Sequence, residues 1–217
     1  TLGNVEKAAG YLRPDGDFPH KIIKSKTLTS DLKLQLKGYI ELPPDSEDSQ
    51  PTSSQLIADD LFSVLRGTSN LIFANSRQNT EYYSDLLIQQ CEKDGVPNEF
   101  FPHHGNLSKE IRLEVEQRLQ KGELPTNAVC TMTLELGIDI GSVVSIAQIG
   151  SPFSVSSIRQ RLGRSGRRGE ASILRIYISE NKIDANVSII DKFRPELIQS
   201  VALINLLLNK WYEPPDT

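Results

Sequence analysis

An arginine-rich segment is the part of the sequence whose residue types and spacing point most directly to chemistry. It reads Gln160-Arg161-Leu162-Gly163-Arg164-Ser165-Gly166-Arg167-Arg168. Arg164 and Arg167 are three positions apart, so on a helical turn their side chains lie on one side, which is also the side of Gln160. Two guanidinium groups that stay ionised and donate through forked N–H groups suit the charge that spreads over a phosphoryl group during transfer. The spacing therefore predicts that these arginines converge on one phosphate ligand.

An alternative interpretation of the same segment is a solvated basic patch or a surface that binds the nucleic-acid backbone. For an arbitrary arginine cluster this alternative would be favoured by about two to one. The regular interleaving with glycines reverses that preference. The net charge of -4 argues against a protein that coats nucleic acid through its overall charge. Any nucleic-acid site must therefore be local, as the five arginines between positions 159 and 168 are.

A second segment that suits phosphate binding follows the apolar run at 128–130. From Thr131 to Gly141 it reads Thr-Met-Thr-Leu-Glu-Leu-Gly-Ile-Asp-Ile-Gly. A strand that ends in hydroxyls and glycines exposes backbone amides and small donors where phosphates can approach closely. The alternative is an ordinary turn in which Gly137 adopts a special dihedral and Asp139 caps the next element. Taken alone, this segment favours that alternative.

Two weaker features follow other predicted strands. The run at 71–74 ends in Asn75, Ser76 and Arg77, and the last two could position a phosphate. The segment His103-His104-Gly105-Asn106 precedes a predicted helix whose amino terminus offers an anion site. Two adjacent histidines also suggest metal ligands. Neighbouring side chains on a strand point apart, however, and no carboxylate or cysteine lies at ligand spacing, so no metal site is predicted.

Hydrophobic periodicity predicts the elements that must position these residues. Strands are predicted at 32–42, 70–74, 98–102, 128–133, 143–149 and 172–178, with a brief extended stretch at 21–28. Helices are predicted at 55–66, 78–94, 108–121, 155–163 and 195–210. In the third of these helices, Ile111, Val115 and Leu119 recur every four residues and predict one inward-facing stripe.

The alternation of strands and helices predicts the fold class. Right-handed crossovers between such elements produce an α/β fold, with a mostly parallel sheet and helices on both faces. The length of 217 residues fits one main domain with a sizeable core. In sheets of this kind ligands gather beyond the carboxyl ends of the strands. The residues just after 74, 102, 133 and 150 are therefore the predicted site.

Other features limit the setting in which the chain works. Cys91 and Cys130 lie far apart and outside any C-x-x-C spacing, which favours neither a zinc cluster nor a disulfide framework and fits a reducing cytoplasm. No stretch reaches the roughly eighteen apolar residues of a membrane helix, so no membrane partner is expected. Because the sequence opens at Thr1 with no initiator methionine or targeting segment, we expect it to be a segment of a longer protein.

The four segments together resemble the motifs of superfamily 2 helicases, the DEAD/DEAH-box-like enzymes. The arginine-rich segment is similar to motif VI, in which Gln or His is followed by Arg-x-Gly-Arg-x-Gly-Arg. Residues 131–141 resemble motif V, residues 71–77 resemble motif IV, and residues 103–112 resemble the His-Gly motif that follows it. The motifs occur in the family's order across about half of the chain. Their residue choice resembles the Lhr-type (large helicase-related) branch.

The resemblance implies a fold, an activity and roles for individual residues. It implies the second RecA-like domain of a helicase motor, a fold of the P-loop NTPase type that lacks its own P-loop. Arg164 and Arg167 would be the arginine fingers of catalysis. Three residues would bind the nucleotide, namely Gln160, Gly137 and Asp139. The residues that would contact nucleic acid are Thr131, Ser76, Arg77, His104 and Arg112.

The resemblance also implies partners. ATP and Mg²⁺ would bind mainly to a first RecA-like domain in cis, because the Gly-x-x-x-x-Gly-Lys-Ser/Thr loop and the Asp-Glu pair that hold them do not occur in this sequence. The other partner would be a DNA or RNA strand. This chain alone is therefore expected to hold no cofactor and to hydrolyse no ATP.

Three parts of the chain are expected on this basis. Residues 1–30 would be the end of the first domain and the interdomain linker, 31–182 the second RecA-like domain, and 183–217 a C-terminal helix with a linker onward. Two alternatives stay open. One is a non-catalytic RecA-like module that binds nucleic acid or acts as a scaffold. The other is the duplex translocase motor of a restriction or remodelling enzyme.

Overall fold

The computed structural model of the chain describes residues 9–10, 22, 31–42, 50–135, 138–166, 170–183 and 187–213. Several sequence-based predictions fall on other residues. They concern most of the proposed first part at 1–30, the extended stretch at 21–28 apart from Ile22, and the site residues Gly137 and Arg167. These lie outside the described residues and stay predictions.

Six strands of the described chain form one sheet in which all neighbours are parallel. The strands are β1 (Leu32–Glu41), β2 (Asn70–Ala74), β3 (Phe100–His103), β4 (Asn127–Cys130), β5 (Ser145–Ile149) and β6 (Ser172–Asn181). Their order across the sheet is β1-β6-β5-β2-β4-β3. The helices are α1 (Ser53–Leu65), α2 (Arg77–Lys93), α3 (Lys109–Lys121), α4 (Val155–Leu162), α5 (Ile189–Lys192) and α6 (Pro195–Leu208). The predicted α/β fold with a parallel sheet is confirmed.

Helices cover both faces of the sheet. On one face, α1 and α2 pack against the sheet through residues such as Leu61 and Leu87. On the other face, α3, α4 and α6 contribute the buried residues Val115, Leu119, Val155, Ile158, Ile204 and Leu207. Every residue of the inner strands β2, β4 and β5 is buried, as expected for parallel strands covered on both sides. This explains why these strands appear in the sequence as short apolar runs.

Serine caps fix where two helices begin, directly past the carboxyl edge of the sheet. Ser76 Oγ accepts a hydrogen bond from the Asn79 N–H (3.1 Å) at the start of α2. Ser154 Oγ accepts one from the Ser157 N–H (3.0 Å) at the start of α4. Each cap satisfies a backbone N–H that has no partner within the helix. The side chains on the first turns are therefore held at defined distances from the strand ends.

Several predicted strand boundaries are wrong by a few residues. The strands predicted at 98–102 and 172–178 are Phe100–His103 and Ser172–Asn181, and two further differences lie beside the predicted site. The strand predicted at 128–133 ends at Cys130, because Cys130 is the last residue opposite β3 and the chain then turns into a short 3₁₀-helix, Met132–Leu134. The strand predicted from 143 begins at Ser145. Val143 instead forms an isolated parallel bridge with Ser165, which follows α4. The second difference brings Val143 into contact with the segment that follows α4.

The inward stripe predicted for α3 is only partly right. Val115 and Leu119 are each 2% exposed, but Ile111 is 45% exposed. Ile111 lies in the first turn of α3, and no residue of this helix before Val115 is buried. The apolar spacing in the sequence therefore begins one turn before the part of α3 that packs on the core.

The helix predicted at 195–210 corresponds to α6, which ends at Leu208. It packs on the same core as α3 and α4 through Ile204 and Leu207. Its contacts include α4 and β6. Within the part of the chain that the structure describes, no helix combines the length and apolar character needed to cross a bilayer.

Candidate functional site

The carboxyl ends of four neighbouring strands bring the predicted site segments to one edge of the sheet. The order β5-β2-β4-β3 places the segments after these strands side by side. The Thr131 N–H, just after β4, donates to the His103 carbonyl at the end of β3 (3.3 Å). Asn75 Nδ2, just after β2, donates to the Ser151 carbonyl that follows β5 (2.9 Å). Segments that are far apart in the sequence are thus in contact.

Arg164 lies just beyond α4, and its guanidinium reaches the loop that follows β4. Its Nε and Nη2 donate to the Glu135 carbonyl at 3.2 and 2.9 Å. Its Nη1 donates to the Ile138 carbonyl at 2.6 Å. The residue is half-buried. The arginine-rich segment and the loop after β4 are therefore held in direct contact by this side chain.

A buried ion pair between Arg161 and Glu135 lies beside this contact. Arg161 Nη2 and Nε are 2.5 and 2.8 Å from Glu135 Oε1, and the two side chains are 3% and 7% exposed. Ser157 Oγ donates to the same oxygen at 3.0 Å. The guanidinium also lies 4.4 Å from the centroid of the Phe73 ring. Such a pair overcomes its desolvation cost only with good geometry and further hydrogen bonds, both of which are present here.

The same polar network continues to the end of β2. Arg161 Nη1 donates to Gln148 Oε1, and Gln148 Nε2 donates to Asn75 Oδ1 at 3.1 Å. The backbone at Gly150 passes close to this amide, since a Cβ there would lie 2.8 Å from Asn75 Nδ2. Gly150 also has a φ of 76°, in the left-handed region that favours glycine. The network joins α4 to the segments after β2 and β4.

Three other residues with predicted ligand contacts lie around the network. Thr131 follows β4 and is half-buried. Asp139 is exposed, and its Oδ1 accepts from the Gly141 N–H at 3.4 Å, which stabilises a local turn. Gln160 is half-buried near the end of α4. Their positions are compatible with the roles predicted for them, which stay predictions.

The helix starts at this edge carry three of the predicted strand contacts. Ser76 Oγ is engaged in capping α2, so the structure gives this hydroxyl a structural role. Arg77 is exposed at the first position of α2. Arg112 is half-buried in the first turns of α3. Of these three residues, Arg77 presents the most accessible charge to a phosphate.

The position of His104 does not support the predicted contact with nucleic acid. The residue is only 1% exposed. Its Nε2 lies 3.0 Å from Glu81 Oε1, and its Nδ1 accepts from the Asn106 N–H at 3.3 Å. A ring enclosed by its neighbours cannot present a donor to a phosphate on the surface. His104 instead shapes the turn after β3.

His103 links the end of β3 to two neighbouring elements. Its Nδ1 lies 2.8 Å from Thr133 Oγ1 and its Nε2 lies 3.0 Å from Glu116 Oε1. Burial lowers the pKa of His103 below its ordinary value, and the neighbouring Glu116 opposes this only in part. The neutral ring therefore joins α3 to the 3₁₀-helix that starts beside Thr131.

We expect the stability of the chain to fall as the pH drops below about 6.5, the ordinary pKa of histidine. In that range the unfolded chain binds a proton at His103 that the folded chain, with its lowered pKa, does not bind, so protons favour unfolding. The loss ends once the pH is below the folded-state pKa. Melting temperatures measured between about pH 5 and 8 should show this slope in the unaltered chain.

His103→Gln is the control for this pH dependence. It removes the titrating ring but leaves every other ionisable group in place, so the difference between the two pH profiles isolates His103. We expect the variant to have the shallower slope below about pH 6.5. Identical slopes in both proteins would contradict the lowered pKa.

Glu135 and Arg161 were not among the predicted site residues, although part of their signal is present in the sequence. Arg161 stands three residues after Ile158, which is 2% exposed, so helical spacing already places Arg161 on the inward side of α4. An arginine on a buried face requires an acidic partner. Spacing could not identify that partner, because Glu135 is 26 residues away in the sequence.

Histidine, cysteine and acidic side chains do not form a metal-ligand group of three or more within the described ranges. Cys91 and Cys130 are both buried free thiols. Burial raises the pKa of each thiol above its ordinary value, so both stay protonated at neutral pH. The described chemistry of the site is therefore that of arginine, amide and hydroxyl donors.

A comparison with protein families finds a match over residues 54–169, to the family described as the helicase conserved C-terminal domain. This range is more than half of the chain. It contains every residue predicted to bind nucleotide or nucleic acid, from Ser76 to Arg167.

Individual relatives agree with the family match. The Lhr helicase/probable uracil glycosylase of Mycolicibacterium smegmatis is 49% identical over 203 residues, which covers 79% of this chain and 13% of that protein. The ATP-dependent helicase Lhr-Core of Methanocaldococcus jannaschii is 40% identical over 126 residues, which covers 54% of this chain and 14% of that protein. The structure of Mycobacterium smegmatis helicase Lhr bound to ssDNA and AMP-PNP superposes with a TM-score of 0.63 at 29% identity, covering 82% of this chain and 22% of that chain. This chain thus spans less than a quarter of each of these proteins.

Proposed function

Because this chain belongs to the helicase conserved C-terminal domain family and is of the Lhr type within superfamily 2, we propose that it is the second RecA-like motor domain of an ATP-dependent helicase or translocase. The observation that carries the proposal is the contact of Arg164 with the Glu135 and Ile138 carbonyls. It joins the segment predicted to touch ATP to the loop predicted to touch the strand. A motor needs such a connection between its two ligands.

We assign the arginine half of a split ATP site to this chain. Arg164 is oriented by its carbonyl partners at the carboxyl edge, and Arg167 follows three residues later with the same chemistry. Guanidinium donors suit the charge on a phosphoryl group in transfer, and Gln160, Gly137 and Asp139 would line the nucleotide beside them. Mg²⁺, held with ATP mainly by a first RecA-like domain in cis, would neutralise charge on the phosphate oxygens.

We assign the grip on one nucleic-acid strand to the same edge. Thr131 and Arg77 offer a hydroxyl and an exposed guanidinium at the ends of β4 and β2, with Ser76 and Arg112 on neighbouring first turns. Contacts of this kind position a backbone without reading its sequence. The relative solved with ssDNA and AMP-PNP supports a single strand and a nucleotide as the two ligand classes.

The test is made on the full-length polypeptide that carries this chain. ATP hydrolysis is measured with and without single-stranded DNA or RNA of matched sequence, and strand displacement is measured on the corresponding duplexes. We expect strand-stimulated hydrolysis and displacement by the full-length protein and no hydrolysis by this chain alone.

Other outcomes would contradict the proposal and indicate an alternative. Salt-sensitive strand binding without hydrolysis would indicate a non-catalytic binding or scaffolding module. Hydrolysis stimulated by duplex without displacement would indicate a duplex translocase.

A further inference from the structure

Glu135, in the loop after β4, contacts both Arg161 and Arg164. Its side chain pairs with Arg161 at 2.5 Å, and its carbonyl oxygen accepts from Arg164 Nη2 at 2.9 Å. It also stands four residues after Thr131, in the loop proposed to hold the strand. One residue therefore connects the proposed strand contact to the proposed nucleotide contact. Glu135 touches neither ligand in the function proposed above.

The buried pair fixes one arrangement of the loop relative to α4. The guanidinium of Arg161 stays ionised at physiological pH, and at 3% exposure it cannot replace its partner with water. Ser157 Oγ, on the same helix, donates to the same carboxylate oxygen at 3.0 Å. Separating the loop from α4 would leave an unpaired charge in the core. The Glu135 end of the loop and α4 must therefore shift together.

We propose that Glu135 and Arg161 are positioning residues that couple strand binding to ATP hydrolysis. A displacement of the segment at Thr131, caused by binding a strand phosphate, is carried through Glu135 to α4 and to the guanidinium of Arg164. The network extends the same connection through Gln148 to Asn75, beside Ser76 and Arg77. The inference rests on the proposed function, because it requires a strand at one end and ATP at the other.

A second arginine–glutamate pair, whose side chains are 28% and 12% exposed, serves as the control. Arg66 pairs with Glu99 at 3.2 Å and lies over the Phe62 ring at 5.2 Å, as Arg161 pairs with a glutamate and lies over Phe73. Arg66 follows α1 and Glu99 precedes β3, so this pair lies at the opposite, amino edge of the sheet. The hydrogen bonds that the described residues form with the side chains of this pair involve Gly67 and none of the proposed ligand residues. Its loss should affect stability without affecting coupling.

The experiment replaces each pair by two methionines in the full-length polypeptide. The test variant combines Glu135→Met with Arg161→Met, and the control combines Glu99→Met with Arg66→Met. Replacing a buried ion pair by apolar side chains of similar size often preserves stability, so we expect both variants to fold. Thermal unfolding of each variant checks this. If the pair had only a structural role, its replacement would change the unfolding temperature and nothing else.

Two readouts report coupling. The first is the ratio of ATP hydrolysis rates at saturating single strand and without strand. The second is the factor by which a non-hydrolysable ATP analogue changes strand affinity. The logarithm of this factor gives the coupling free energy between the two sites. We expect both factors to fall about tenfold, toward one, in the Glu135/Arg161 variant and to stay unchanged in the control.

Each result decides between coupling and a purely structural role. If the folded Glu135/Arg161 variant keeps both factors, the pair is only structural and the inference is overturned. If it does not fold, the variant that combines Glu135→Gln with Arg161→Gln, which keeps hydrogen bonding without charge, decides by the same readouts. An unaltered protein without strand-stimulated hydrolysis would instead overturn the proposed function, and this inference with it. Lost coupling against a coupled unaltered protein supports the inference.

Discussion

Arg167→Ala in the full-length polypeptide should lower the rate of ATP hydrolysis by about 10³-fold, with little change in strand affinity. Arg164 already donates to the Glu135 and Ile138 carbonyls, so part of its hydrogen-bonding capacity is used within the chain. In the proposed function, Arg167 would therefore carry the larger share of the charge that stabilises the phosphoryl group in transfer. A group that acts mainly in the transition state lowers kcat and kcat/KM together when it is removed.

Arg167→Lys and Lys192→Ala are the comparisons for this experiment. Lysine keeps the positive charge but lacks the forked donors, so we expect it to restore only a small part of the rate. Lys192 is exposed on α5, outside the family match, and its removal controls for the loss of one positive charge. An unchanged turnover in Arg167→Ala would contradict the arginine-finger role, whatever the strand affinity shows.

Arg164→Ala should behave differently from Arg167→Ala. Its three hydrogen bonds to backbone carbonyls hold the loop after β4, so its loss affects folding stability as well as turnover. The expected difference between the two variants depends on the partners of Arg164, which are backbone carbonyl oxygens. Since a carbonyl oxygen has the same chemistry in every residue, no pattern of side chains in the sequence could have indicated these hydrogen bonds of Arg164.

The strands were predictable where burial is complete and the ends are marked. The residues of β2 form a short apolar run bounded by turn residues, and both of its predicted ends agree with Asn70–Ala74. The predicted end at Thr133 failed because β4 stops where its neighbour β3 stops, at the pairing of His103 with Cys130. The length of a strand in a sheet is decided by its neighbour. That neighbour is distant in the sequence.

The site was predictable as a location and only partly as a set of contacts. A parallel sheet brings all carboxyl ends to one edge, so the segments at Thr131 and Asn75 had to meet there. The burial of His104 and the pairing of Glu135 with Arg161 depend on packing between elements that the chain brings together only on folding. Local residue types fix where a ligand can bind. Long-range packing decides which side chains remain available to it.

Gly166→Ala should lower the free energy of unfolding by about 3 kcal/mol. Gly166 has a φ of 69°, in the left-handed region that other residues rarely adopt. A Cβ there would lie 2.2 Å from Ser172 Oγ and, more seriously, 2.8 Å from the Ser172 backbone nitrogen. Since Ser172 is the first residue of β6, relief of this clash requires the arginine-rich segment or the strand to move.

Two glycines in the same chain separate the causes of that loss. Gly67 has a φ of 77°, but a Cβ added there would meet no atom within 4 Å, so Gly67→Ala measures dihedral strain alone, at about 1 kcal/mol. Gly38, within β1, has neither a positive φ nor a neighbour within 4 Å, so Gly38→Ala should change stability by less than about 1 kcal/mol. Denaturant unfolding of the three variants gives the comparison. If Gly166→Ala costs no more than Gly67→Ala, the close approach of Gly166 to Ser172 does not constrain the segment.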